Sequence, residues 1–190
     1  MVGDHVLSER RRALEEEFFT RQNNALLERM RATSEAQSRR EALAAASGIT
    51  DRALLDRLVA LGLGPETLIA LAIVPMVLVA WADGSVDAKE REAILAGARE
   101  SGLEQHPGSR QMLDRWLTGR PGPELAEAWL GYVRAVSASL APDAQASLQR
   151  EIIGRSRRVA DAAGGFLDLV NRISPAEEAM LAKLERAFSS

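Results

Sequence analysis

Pro75-Met-Val-Leu-Val-Ala-Trp-Ala-Asp-Gly-Ser-Val-Asp-Ala-Lys-Glu-Arg-Glu-Ala-Ile-Leu95 divides into an apolar half, an Asp-Gly pair and an acidic half. The apolar half carries no charge before Asp83, as expected of a buried helix. Although an Asp-Gly pair between apolar runs can mark a β-hairpin, Asp87-x-x-Glu90 is a capping-box pattern and precedes apolar residues at helical spacing. The stretch therefore predicts two helices joined at a tight corner.

The composition of the whole chain also favours helices. Hydrophobic residues make up 46% of the 190 residues and aromatic residues only 4%, so small and aliphatic side chains must fill the core. Ala, Leu, Glu and Arg are abundant, and all four are good helix formers. We predict an all-α protein, with a long N-terminal helix (residues 1–47) followed by a compact helical bundle of about seven helices (residues 48–190).

Capping residues, glycines and prolines set the expected helix boundaries. Pro75 should bend the central helix, Gly84 should end it in a left-handed conformation, and Gly164-Gly165 should break the helix before them. The predicted helices are Leu7–Ala46, Asp51–Leu61, Pro65–Ala82, Ala88–Ser101, Ser109–Leu117, Glu124–Leu140, Pro142–Ala163 and Pro175–Phe188.

The N-terminal helix carries an apolar stripe that fades after residue 30. Its members are Leu14, Phe18, Leu26 and Met30, with Phe19 and Leu27 beside them. One interpretation is a docking helix or half of a homodimer contact. The other is an additional helix that packs on the core of the bundle.

Charge and residue content exclude several functions. A net charge of −3 disfavours nucleic-acid binding, and the absence of cysteine rules out disulfides, thiolate zinc sites and cysteine nucleophiles. The N-terminus lacks the features of a secretion signal. The apolar run Leu68–Ala82 is shorter than the roughly 20 residues that a membrane-spanning helix needs. We expect a cytoplasmic protein without a transmembrane segment or an organic cofactor.

Asp83, Asp87 and Glu90 are the candidate metal ligands, because hard carboxylate oxygens at a turn suit a divalent cation, Ca²⁺ or Mg²⁺ above all. Their spacing matches the second half of an EF-hand loop, but Val79 and Trp81 occupy ligand positions of the first half and offer no side-chain oxygen. A simpler interpretation assigns all three acids to ending one helix and capping the next.

The sequence of this corner is weakly repeated later in the chain. Val86-Asp87-Ala88-Lys89-Glu90 aligns with Ile173-Ser174-Pro175-Ala176-Glu177, which is another capping-box pattern. The similarity does not extend upstream, because Asp83-Gly84 aligns with Val170-Asn171. The second corner therefore lacks the side chains that would bind a metal at the first corner.

The segment Pro75–Leu95 resembles the signature of TerB-like domains, which carry an apolar helix, an Asp-Gly turn and an acidic helix start. This resemblance covers about Asp51–Phe188, although its specific part is short. It implies a compact all-helical bundle, an acidic surface that binds a divalent metal, and a role in tellurite resistance, phage defence or stress. It also implies protein partners and peripheral association with membranes. Asp83, Asp87 and Glu90 are the residues that match the family motif.

No pattern in the sequence identifies a catalytic pair of acid and base. The alternatives to a binding module are a hydrolase or other enzyme with a carboxylate-lined pocket, and a structural oligomeriser acting through the N-terminal helix. The basic residues Arg150, Arg155, Arg157 and Arg158 are expected to form a solvated face rather than a phosphate site. Trp116 and Trp129 fit apolar helical stripes and are expected in the core, although their two helices, which flank a Pro-Gly loop, could form a partner groove.

Overall fold

The computed structural model describes residues 2–163 and 173–189, with side chains from Glu17 to Ala162 and from Ile173 to Ser189. All regular elements in these ranges are helical, which confirms the all-α prediction. The 3₁₀ helices are Pro65–Ala72 and Leu103–Gln105. The α-helices are α1 (Val2–Ser47), α2 (Arg52–Ala60), α3 (Val74–Ala80), α4 (Ala88–Glu100), α5 (Pro107–Thr118), α6 (Pro123–Ser139), α7 (Pro142–Ala163) and α8 (Pro175–Arg186).

The chain divides into two compact units, Met1–Glu41 and Ala42–Ser190. In the first unit five large apolar residues of α1 are 43–68% exposed, namely Phe18, Phe19, Leu26, Leu27 and Met30. The second unit includes the last turns of α1, where Leu43 is completely buried. The side chain of Leu14 and the predicted break at Gly164-Gly165 lie outside the described residues.

The predicted single helix Pro65–Ala82 is wrong in one respect, because the segment is a 3₁₀ helix followed by α3. Pro75 has no N–H to donate to the carbonyl of Leu71, four residues earlier, so an α-helix cannot continue unbroken. The indole Nε1 of Trp129 donates to the Leu71 oxygen instead, at 3.0 Å. A side chain from α6 thus satisfies a carbonyl that the proline leaves unpaired.

Helix α3 lies at the centre of the second unit. Each of its residues, Val74–Ala80, is buried, and α3 packs against α4, α6, α7 and α8. The close approach of α4 depends on Gly97, because a β-carbon at that position would lie 2.8 Å from the sulfur of Met76. This packing confirms the expectation that the apolar segment is central.

Most of the predicted basic cluster forms ion pairs on α7. Arg158 pairs with Glu100 of α4 at 3.5 Å, and Arg157 pairs with Glu178 of α8 at 3.6 Å. Arg155 pairs with Glu151 at 2.7 Å and also donates to the hydroxyl of Ser101 on α4. These contacts connect α7 to its neighbours. Over the described ranges, no helix is long and apolar enough to cross a membrane.

Candidate functional site

The acidic corner joins α3 to α4 through residues 81–87. Helix α3 ends at Ala80 with Trp81 as its C-cap, so the prediction that Gly84 ends the helix is wrong, although Gly84 does adopt a positive φ, at +106°. The Trp81 indole Nε1 donates to the carbonyl of Trp116 at 2.8 Å, and Arg91 donates to the carbonyl of Leu117 at 2.9 Å. Because these acceptors lie in the last turn of α5, the two side chains hold both sides of the corner against one helix end.

Both predicted capping boxes are confirmed. At the start of α4, Asp87 Oδ1 accepts from the backbone N–H of Glu90 at 2.8 Å, and Glu90 Oε2 accepts from that of Asp87 at 2.7 Å. At the start of α8, Ser174 Oγ accepts from Glu177 at 3.2 Å, and Glu177 Oε2 accepts from Ser174 at 2.6 Å. Each glutamate therefore uses one carboxylate oxygen to cap its own helix.

The two capping glutamates are both buried, which is unusual for carboxyl groups. Glu90 is 3% exposed and Glu177 is 2% exposed. The second oxygen of Glu177, Oε1, is buried and has no hydrogen-bond partner among the described residues. Burying a carboxylate oxygen without a partner is unfavourable, so this oxygen could accept a further ligand.

Burial raises the pKa of the Glu90 carboxyl from 4.5 to about 7, against the lowering effect of the hydrogen bond from the Asp87 backbone. The negative charges of Asp87, Glu177 and Asp83 raise it further. The fold thus brings Glu177 into the electrostatic neighbourhood of the three acids that the sequence singled out. The internal sequence repeat includes Glu177, but it could not indicate that the charge of Glu177 acts on Glu90 in the folded protein.

The predicted ligands differ in their environments. Asp83 and Asp87 are exposed, whereas Glu90 is buried. Asp83 accepts a hydrogen bond from the backbone N–H of Ser85 at 3.1 Å, as expected at a turn. Among the described residues, no three acidic, histidine or cysteine side chains are arranged as a ready-made metal site.

Two buried carboxylates are still sufficient for some cations. Mg²⁺ retains several water ligands and is commonly bound through one or two carboxylates, whereas Ca²⁺ takes six to eight oxygens. Glu90 and Glu177 supply hard oxygen donors, and among the described residues nothing donates a hydrogen bond to the Oε1 of Glu177. The residues present therefore fit a hydrated divalent cation.

Comparison of the chain with protein-family models, with curated proteins and with solved structures found no match. The TerB-like resemblance accordingly stays a prediction that depends on the Pro75–Leu95 motif.

Proposed function

We propose that this protein is a non-enzymatic binding module whose acidic corner binds a divalent cation. Glu90 and Glu177 would supply the buried ligands, and Asp83 and Asp87 would lie at the exposed rim. The observation that carries the proposal is the buried Oε1 of Glu177, which has no hydrogen-bond partner among the described residues, on a carboxylate whose charge acts on Glu90. Mg²⁺ or Ca²⁺ is the favoured ion, because each of these donors is a carboxylate oxygen.

A bound cation would neutralise carboxylates that repel each other. Without a cation, Glu90 retains a proton up to about pH 7, so protons and the cation compete for the same group. The cation would also connect the starts of α4 and α8, which both pack on α3. Its chemistry in this site is therefore electrostatic and structural.

The TerB-like motif supports the wider role in this proposal. It favours a cytoplasmic interaction module of a stress-response system that acts through a protein partner. The enzyme alternative receives less support, because Glu90 and Glu177 line neither the cavity of about 460 Å³ beside Trp81 nor the cavity of about 270 Å³ beside Trp129. A raised carboxyl pKa is useful for catalysis only where a substrate can reach the group.

Thermal unfolding tests the cation site directly. The metal-free protein would be melted with EDTA or with millimolar Mg²⁺, Ca²⁺, Mn²⁺ or Zn²⁺, in parallel with Glu90→Gln/Glu177→Gln. A cation at about 100 times its dissociation constant should add about 2.7 kcal/mol to the free energy of unfolding. The double variant should lose this gain, because an amide binds cations poorly.

The matched control is Glu92→Gln/Glu104→Gln, which removes the same number of charges from exposed positions. This control should retain the full cation-dependent rise. If no ion raises the midpoint of the unmodified protein, the four acids serve only to cap and end helices. An equal rise in both double variants would place the cation elsewhere.

The exposed apolar side chains of α1 support self-association as a second part of the proposal. Phe19, Leu26 and Met30 recur at helical spacing and are 55–68% exposed. A homodimer through α1 would bury them. Sedimentation should then give a dimer that Leu26→Glu/Met30→Glu converts to a monomer, whereas a monomeric unmodified protein would refute this part.

A further inference from the structure

A second site is a cavity of about 460 Å³ that Trp81 helps to line. The walls come from α3, α6, α8 and the loop between α5 and α6. Leu78, Trp81, Ala126 and Met180 provide its apolar lining. A cavity of this size accommodates one or two large side chains of a ligand.

Cationic side chains stand at the rim of this cavity. Arg120 comes from the loop and Lys183 from α8, and both are exposed. Neither forms an ion pair with a described residue. This contrasts with Arg155, Arg157 and Arg158, whose charges are matched by glutamates. In a chain with net charge −3, two cations that have no ion-pair partner among the described residues and lie beside an apolar cavity indicate complementarity to an anionic, partly apolar ligand.

The remaining lining residues shape the site. Pro121 and Pro123 restrict the backbone of the loop, so one wall is held in place before a ligand arrives. Glu127 also lines the cavity and would repel an acidic group on its side. The ligand's carboxylates should therefore lie towards Arg120 and Lys183 and away from Glu127.

We infer that this cavity binds an acidic segment of a partner protein, with one large apolar side chain inserted beside Trp81 and neighbouring carboxylates on Arg120 and Lys183. A membrane surface is a weaker match, because electrostatic attachment to anionic lipids uses clusters of four to eight basic residues. Nucleic acid would need a longer basic track. The inference names a partner class for the proposed interaction role and rests on that role, but it requires no cation.

The test uses fluorescence anisotropy of labelled peptides with the full chain. The main probe is acetyl-Asp-Glu-Phe-Asp-Glu-amide with a fluorophore on an added linker. One control peptide has Ser in place of Phe, and another has Lys in place of each acid. The protein variants are Arg120→Glu/Lys183→Glu and the matched control Arg110→Glu/Arg134→Glu, which makes the same charge change at exposed positions outside the cavity.

We expect saturable binding of the acidic Phe peptide by the unmodified protein and the control variant. The cavity variant should bind it at least about tenfold more weakly, which corresponds to about 1.4 kcal/mol, and should bind the Lys peptide instead. The Ser peptide should bind poorly, because it has no apolar anchor. Equal loss in both variants, or no binding at millimolar peptide, would overturn the inference.

Two further measurements separate this inference from its alternatives. Vesicles containing 30% phosphatidylserine should not co-sediment with the protein in a manner that depends on Arg120 and Lys183; if they do, the ligand is a lipid surface and the inference is wrong. The cavity variant should retain the cation-dependent rise in melting temperature. Loss of peptide binding with that rise intact would therefore test the cavity alone, whereas loss of the rise would concern the acidic corner.

Discussion

Glu90 and Glu177 hold equivalent positions in two capping boxes, and the charge of Glu177 raises the pKa of the Glu90 carboxyl. Each carboxylate stabilises the start of its own helix, yet burial and the neighbouring negative charges disfavour the ionised form of Glu90. Helix capping thus favours the ionised form of Glu90, whereas its burial and the nearby negative charges oppose ionisation. Such a conflict is expected at a functional site more often than in an ordinary core.

The first prediction concerns pH. The folded-state pKa of Glu90, about 7, exceeds the unfolded value of 4.5, so the folded protein binds more protons between these values. The stabilisation from the protonated group should be complete below pH 4.5 and should be lost as the pH rises through 7. In urea unfolding with EDTA, the free energy of unfolding of Glu90→Gln should rise relative to that of the unmodified protein by on the order of 1–3 kcal/mol between pH 5 and pH 8.

Glu92→Gln is the control for this pH effect, because Glu92 lies on the exposed side of the same helix. Its stability relative to the unmodified protein should stay constant over this range. A constant difference for Glu90→Gln as well would mean that Glu90 is ionised in the folded protein throughout.

The second prediction separates capping from cation binding at Asp87. Serine is a good N-cap residue, whereas alanine offers no acceptor. Asp87→Ala should therefore lower the free energy of unfolding by about 1 kcal/mol in EDTA, and Asp87→Ser should lower it much less. Both should weaken the response to Mg²⁺ or Ca²⁺ if the carboxylate lies at the rim of the site. An undiminished cation response in Asp87→Ser would assign Asp87 to capping alone.

Local chemistry made much of this architecture predictable. The observed α7 begins at the predicted residue, Pro142, and both capping boxes have the expected hydrogen bonds. Long-range contacts explain what could not be predicted. The effect of the Glu177 charge on Glu90 depends on how α4 and α8 pack against α3, and the break after Ala72 is accommodated by Trp129, which is distant in sequence.

The third prediction compares two helical glycines. A β-carbon at Gly97 would lie 2.8 Å from the side chain of Met76, whereas one at Gly154 would have nothing within 4 Å. Gly154→Ala should raise the free energy of unfolding by about 0.5–1 kcal/mol through helix propensity. Gly97→Ala should lower it, because the displaced Met76 is buried in the core. Denaturant titrations of both variants at one pH test the difference, and equal stabilisation would mean that Met76 moves freely.

The fourth prediction concerns the bond from Trp129 to Leu71. Trp129→Phe removes the indole donor and leaves a buried carbonyl unpaired beside Pro75, which should cost about 1–3 kcal/mol in addition to the lost packing volume. Pro75→Ala supplies an N–H that can reach the same carbonyl if the segment becomes continuous α-helix. In a double-mutant cycle, Trp129→Phe should therefore be less destabilising in the Pro75→Ala background. Additive effects would show that the indole donates to a carbonyl whose pairing does not depend on the proline.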